Sequence, residues 1–162
     1  MMRMKQCIGI MALFFFGMSA CNLDGNQKGR YANLDQPARV KLKQYLIEGK
    51  RLYQLHCINC HQEGGTGLAR LYPPLKNSDY LFTNKPEVIC GMRFGQKGEI
   101  VVNGIVFNQP MPENLRLTDL EIAEIATYVY NTFADTVQLV TVQEVKQIFA
   151  NCPPHMLSNR DE

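Results

Sequence analysis

The chain has 162 residues, 46% of them apolar, with 17 basic and 15 acidic side chains. That length suits one domain with one core. Once Arg3 and Lys5 near the start are set aside, the remaining charges cancel at 15 of each sign, a balance that gives no reason to expect nucleic acid as a partner. The charges are unevenly placed, with 12 basic against 5 acidic between Lys28 and Lys97 and 3 against 9 from Gly98 onward. This reads first as two solvated faces, and second as a field that orients a partner.

Met1 to Gln6 is short and basic and Cys7 to Met18 almost continuously apolar, the n-region and h-region of a secretory signal peptide. The apolar run is too short to span a bilayer comfortably as a mature helix. It ends in Met18-Ser19-Ala20-Cys21, which resembles the lipobox of bacterial lipoproteins, although Leu is a better match than Met18 at its position. The resemblance implies a leader over 1–20, cleaved before Cys21, and acylation of Cys21, whose several chains suffice for stable anchoring. Residues 21–37 then form a tether rich in Asn, Gly, Gln and Asp, without apolar periodicity. As a flexible coil it reaches about 20–25 Å.

From Ala38 to His56, residues Val40, Leu42, Tyr45, Leu46, Leu52, Tyr53 and Leu55 recur at roughly helical spacing, after a Pro37 suited to a helix start. Gly49 and Tyr53 form a G-x-x-x-aromatic pair inside this helix. A helix-interior glycine costs up to about 1 kcal/mol against alanine, and a close helix crossing would account for it. The helix delivers the chain to Cys57-Ile58-Asn59-Cys60-His61. Residues three and four apart share a face of a helical turn, so both thiols and the imidazole can meet one flat ligand. C-x-x-C-H is the attachment pattern of c-type haem: the thiols bond to the porphyrin's vinyl groups and His61 reaches the iron.

Gly64, Gly65 and Gly67 free the backbone to turn around the edge of such a ligand. Leu71-Tyr72-Pro73-Pro74-Leu75 is extended, because consecutive prolines cannot form helix. An iron-bound His usually gives its other N–H to a carbonyl, a role that a rigid proline-flanked carbonyl suits. Ser78 or Asp79 caps a short turn, and a helix begins at Lys85-Pro86 and stops near Gly95. Ile100 to Phe107 reads mainly as apolar pocket lining, with a short hairpin-like excursion.

In Asn108-Gln109-Pro110-Met111-Pro112, two prolines hold Met111 in a loop where its thioether can point inward. A methionine is by default a core filler, but as a haem ligand it raises the reduction potential. Beyond Cys21 the other methionines are Met92, in a helix, and Met156, in the tail, so Met111 is the favoured ligand. Thr118-Asp119-Leu120-Glu121 and Thr141-Val142-Gln143-Glu144 read as capping boxes. They open helices through about Ala134 and up to Cys152-Pro153-Pro154, and the remaining tail reads as polar and loose.

From Val40 to Phe133 these residues resemble the class I c-type cytochromes, single-haem electron carriers. The resemblance rests on Cys57, Cys60 and His61, Gly49 with Tyr53, Pro73 with Leu75, and Val102-Asn103-Gly104 followed by Met111-Pro112 and Leu117-Thr118-Asp119. A final helix with Ile125 and Tyr128 completes it. It implies an all-α cytochrome c fold, a small helical domain over 38–135 wrapped around one covalent haem c. It implies His61 and Met111 as axial ligands, with Pro73 rather than Pro74 holding His61, and a crossing of the first and last helices at Gly49. It also implies a haem edge near Cys57 and Cys60 as the port for electrons. There is no Trp, though many relatives carry one at the end of the last helix, where Phe133 stands here. Residues 136–162 form a C-terminal helical extension beyond the minimal fold.

The functional expectation is a one-electron carrier rather than an enzyme, lipid-anchored on the periplasmic side of a bacterial membrane. Its expected partners are a membrane dehydrogenase or reductase and an oxidase or periplasmic enzyme. Two alternatives stand beside it: a haem subunit fixed in a larger complex, and an open-site haem that binds small ligands or acts as a peroxidase. Of the six cysteines, Cys7 leaves with the leader, Cys21 takes lipid, and Cys57 and Cys60 take haem. Cys90 and Cys152 remain, and an oxidising compartment favours their disulfide. A Cys₄ zinc site of Cys57, Cys60, Cys90 and Cys152 is the rival. It leaves His61, Met111 and the export signal without a role.

Overall fold

A computed structural model describes residues 29–157; the leader, the lipobox and Cys21 lie outside that range. In chain order the elements are α1 (Gln36–His56), α2 (Ile58–His61), α3 (Asp79–Thr83), α4 (Lys85–Phe94), the strands β1 (Ile100–Val102) and β2 (Ile105–Phe107), α5 (Asp119–Phe133), α6 (Val142–Phe149) and α7 (Pro154–Leu157). The architecture is all-α, with one small hairpin.

Helix α1 starts two residues before the expected Ala38. The Asp35 carboxylate accepts the Ala38 N–H at 2.9 Å, and Pro37 sits in the first turn where no hydrogen bond is lost. Its buried stripe is Leu42, Tyr45, Gly49, Leu52 and Tyr53, while Val40 and Leu55 face solvent. This stripe packs on α5, which buries Ile122, Ile125, Ala126, Val129 and Phe133. At Gly49 the two backbones nearly touch: a Cβ there would lie 2.0 Å from the Glu124 carbonyl oxygen and 2.8 Å from Tyr128 Cβ. Beside the crossing, the Tyr53 ring meets those of Tyr128 and Phe133 at 5.5 and 5.3 Å between centroids. Tilted contacts at that distance suit the charge distribution of aromatic faces and edges.

The capping box at Thr118 is complete, with the Thr118 hydroxyl accepting from Glu121 N–H and the Glu121 carboxylate accepting from Thr118 N–H. The second one is only half formed. Thr141 accepts the Glu144 N–H at 3.1 Å, but the Glu144 carboxylate turns instead to Lys85. An opposite charge on a neighbouring helix outcompetes the cap's own backbone N–H.

Asn103 and Gly104 both have positive φ, 52° and 75°, the requirement of a two-residue type I′ turn between paired strands. Val102 and Phe107 are buried, but Val101, Ile105 and Val106 are exposed, so only part of the segment expected to line a pocket does so. The strand period of two puts the paired Val101 and Val106 on the outer face, whereas Ile105 shares the face of Val102 and Phe107 and is exposed beside the turn. The turn is tied to α3: Asp79 accepts the Asn103 N–H at 2.7 Å, and the Asn103 side chain accepts the Asp79 N–H at 3.0 Å. Within the segment read as tether, the Arg30 guanidinium donates to the Asn131 carbonyl at 3.0 Å and pairs with Asp135 at 2.8 Å. No helix among the described residues is long and apolar enough to cross a membrane.

Candidate functional site

The thiols and the imidazole sit on one helical turn. Cys60 N–H and His61 N–H both donate to the Cys57 carbonyl, at 3.2 and 2.9 Å. The turn stops at Gln62, whose φ of 63° breaks the helix. Its carbonyl accepts from the Tyr53 hydroxyl at 2.6 Å, which fixes the turn to the buried side of α1. His61 Nδ1 lies 3.1 Å from the Pro73 carbonyl. A carbonyl can only accept, so Nδ1 carries the proton and Nε2 keeps its lone pair for a metal. Burial pushes the His61 pKa down, against the Pro73 hydrogen bond, which raises it, and favours the neutral, ligating form. The carbonyl beside the ring is that of Pro73, not Pro74.

Gly67 makes that contact possible. A Cβ on it would fall 2.3 Å from the Tyr72 carbonyl oxygen and 2.8 Å from the Pro73 carbonyl oxygen, and its φ of +67° suits glycine. Its N–H donates back to the His61 carbonyl at 3.1 Å. Cys57 and Cys60 are both half-buried. Burial, and then the charge of Cys60, push the Cys57 thiol up to about 12.

Met111 is held by its backbone. Its N–H donates to the Gln96 carbonyl at 2.9 Å and its carbonyl accepts the Gln96 N–H at 3.0 Å, an isolated antiparallel bridge. Gly95 allows the approach: a Cβ there would meet the Met111 carbonyl oxygen at 2.6 Å. The loop beyond is tied at Asn114, whose N–H donates to the Arg93 carbonyl at 2.8 Å and whose side chain lies 3.3 Å from His56 Nδ1. His56 thus links the end of α1 to the methionine loop.

These residues surround one crevice. It is divided into three adjoining cavities, and His61 and Met111 line all three. One of them encloses about 720 Å³, counting space open to solvent, with Leu75, Val88, Ile100, Ile125 and Val129 in its walls. Cys57 reaches two of the three cavities and Cys60 two. Apolar walls, thiols on one turn, a neutral imidazole and a thioether form a donor set that fits a covalently attached haem. Met92, read as a helix residue out of contention, also reaches this crevice. Met156 does not; it packs with Cys90 and Cys152.

Cys90 and Cys152 form a disulfide, with Cα atoms 5.9 Å apart, inside bridging range. That removes both from any zinc site, and no cluster of three or more His, Cys, Asp or Glu able to hold a metal ion occurs among the described residues. Sequence reasoning overlooked Gly95, Gln96, Arg93 and Asn114, the residues that pin Met111. Gly95 alone left a sequence signal, and a helix stop accounted for it.

The cytochrome c family model matches residues 46–133. Two proteins named cytochrome c-552 from Thermus thermophilus are each 27% identical over 124 residues, 70% of this chain and 94% and 83% of theirs. The fructose dehydrogenase cytochrome subunit of Gluconobacter japonicus is 31% identical over 107 residues, 64% of this chain but 22% of that protein. The match spans the crevice from Cys57 to the end of α5, and the chain belongs to the class I c-type cytochromes, electron-transfer proteins that carry covalently bound haem c.

Proposed function

We propose that this chain is a one-electron carrier with haem bound through Cys57 and Cys60 and ligated by His61 and Met111. The observation that carries this reading is that His61 and Met111 share the walls of every part of the crevice. When bound, the haem would supply the ferric–ferrous couple, and His61 and Met111 would hold its iron. The Pro73 carbonyl orients His61, the Gln96 bridge holds Met111, and the apolar walls exclude water. Together they keep the ligand set unchanged between redox states, and the Met ligand favours the reduced one. A pyridine haemochrome spectrum tests the covalent attachment. The ferric near-infrared sulfur–iron band tests Met111 and should vanish in Met111→Leu. Ready binding of CO by the unmutated ferrous protein would instead favour an open-site haem.

The leader, the lipobox-like Met18-Ser19-Ala20-Cys21 and the polar stretch after it support a carrier anchored through Cys21 on the periplasmic side of a bacterial membrane. Its partners would be a membrane dehydrogenase or reductase and an oxidase or periplasmic enzyme. Replacing Cys21→Ala should move the protein to the soluble fraction. Persistence in the membrane fraction would remove the lipid anchor from this reading. The likeness to a dehydrogenase's cytochrome subunit supports a second reading, a haem subunit fixed in a redox complex. Co-purification in fixed ratio would favour it, and a monodisperse single chain would not.

A further inference from the structure

The family match ends at residue 133 and leaves α6 and α7 without a role. We propose that this extension is a brace for the Met111 loop, acting through α4, with Arg93 as the positioning residue where brace and loop meet. The proposal rests on the reading of Met111 as an iron ligand and adds what keeps it in place.

Helix α4 is fixed to the extension at both ends and in the middle. Lys85 at its start pairs with Glu144 of α6 at 2.5 Å. Cys90, fully buried, is bonded to Cys152 beyond α6. Near its end, the Arg93 guanidinium lies over the Phe149 ring at 4.3 Å, and Phe94 meets the same ring edge-on at 5.2 Å. Stacking on a ring face suits a guanidinium and shields it from water.

The same end of α4 holds the methionine loop. The Arg93 guanidinium donates to the Leu117 carbonyl at 2.7 Å and pairs with Asp119 at 2.7 Å. Its own carbonyl accepts the Asn114 N–H at 2.8 Å, and Gln96, three residues on, pairs with Met111 in both directions. Arg93 Nε is buried with no partner, so the side chain is placed by its neighbours rather than by satisfying all its donors. Displacing Phe149 leaves Arg93 free to swing toward water. It then releases the Leu117 carbonyl, and the bridge at Met111 has lost a support. Opening of this kind is local and leaves the crossing of α1 and α5 closed.

The test uses the haem-loaded full chain. The variants are Phe149→Ala, Phe149→Tyr, Arg93→Lys, and Cys90→Ser with Cys152→Ser. The first readout is the rate at which saturating imidazole displaces the ferric sulfur ligand, followed in the near-infrared. The second is hydrogen exchange at the Gln96 and Met111 amides against those of α1 and α5. Phe149→Ala should raise the displacement rate about tenfold and speed exchange at Gln96 and Met111 alone, with Phe149→Tyr close to the unmutated protein. The disulfide variant, where it folds, and Arg93→Lys should shift both readouts the same way. Unchanged displacement and exchange in Phe149→Ala overturn the brace, as does faster exchange spread evenly over α1 and α5. If the unmutated protein lacks the sulfur–iron band, the ligand assignment fails, and amide exchange still decides whether the brace holds the loop.

Discussion

Replacing Gly49→Ala sets helix propensity against packing, and the distances decide which wins. Alanine in a helix interior gains up to about 1 kcal/mol over glycine. Its Cβ would lie 2.0 Å from the Glu124 carbonyl oxygen and 2.6 Å from the carbonyl carbon, both backbone atoms that no rotamer change can move. Contact optima near 3.5 Å require α1 and α5 to part by roughly 1.5 Å. Forced overpacking costs about 1–3 kcal/mol. Parting the helices also loosens the Tyr53–Tyr128 and Tyr53–Phe133 contacts, each of a kind that contributes about 0.5–1.5 kcal/mol. The net expectation is a loss of about 2–3 kcal/mol. Denaturant unfolding of the haem-loaded protein, followed by far-ultraviolet circular dichroism, measures it. A Gly49→Ala protein as stable as the original, or more so, would refute the argument from close crossing.

Gly95 has φ +77° and ψ 178°, a region open essentially to glycine alone, so Gly95→Ala should weaken or abolish the sulfur–iron band while the α-helical signal persists. An intact band would show that the loop tolerates displacement. Met92→Leu should leave that band in place, because the bridge to Gln96 fixes Met111 and not Met92; its loss would transfer the ligand role to Met92. Burial, then the charges of Glu48 and Glu121, raise the Glu124 pKa, with Arg51 pulling the other way. The folded chain therefore holds this proton more tightly than the unfolded chain, and ionising Glu124 costs stability above its folded pKa. That cost fades as pH falls toward the ordinary carboxylate value, so Glu124→Gln should raise Tm at neutral pH and lose its advantage below about pH 4. An advantage independent of pH would count against this cause.

Features written in neighbouring residues were legible in the sequence. Thr118 with Glu121 caps α5, and Cys57, Cys60 and His61 share one turn, because each needs only local geometry. Gly49 was legible too, since an interior glycine is costly unless something crosses it. Contacts between distant segments carried no such period. Nothing near Gln96 announces its pairing with Met111, and nothing near Glu144 says that Lys85 will take its carboxylate. The outward Val101 and Val106 look like lining until the pleat of the hairpin assigns faces. The support of Met111 was thus the least visible part of the site, though Met111 itself was among the easiest residues to single out.

The disulfide has a consequence for how the protein is assembled. On the proposed attachment, Cys57 and Cys60 must be thiols when haem joins them, while Cys90 and Cys152 are bonded to each other. Thiol–disulfide exchange requires an attacking thiolate to reach a sulfur. Cys90 has no exposed surface, and Phe94, Ile148, Phe149 and Met156 surround the bridge. Cys57 and Cys60, by contrast, remain partly open at the crevice. A reductant that keeps Cys57 and Cys60 as thiols therefore meets a bridge that is closed at Cys90 and only 7% exposed at Cys152 until α6 and α7 lift away. Burial of Cys90 thus helps one chain hold two sulfur pairs in opposite oxidation states.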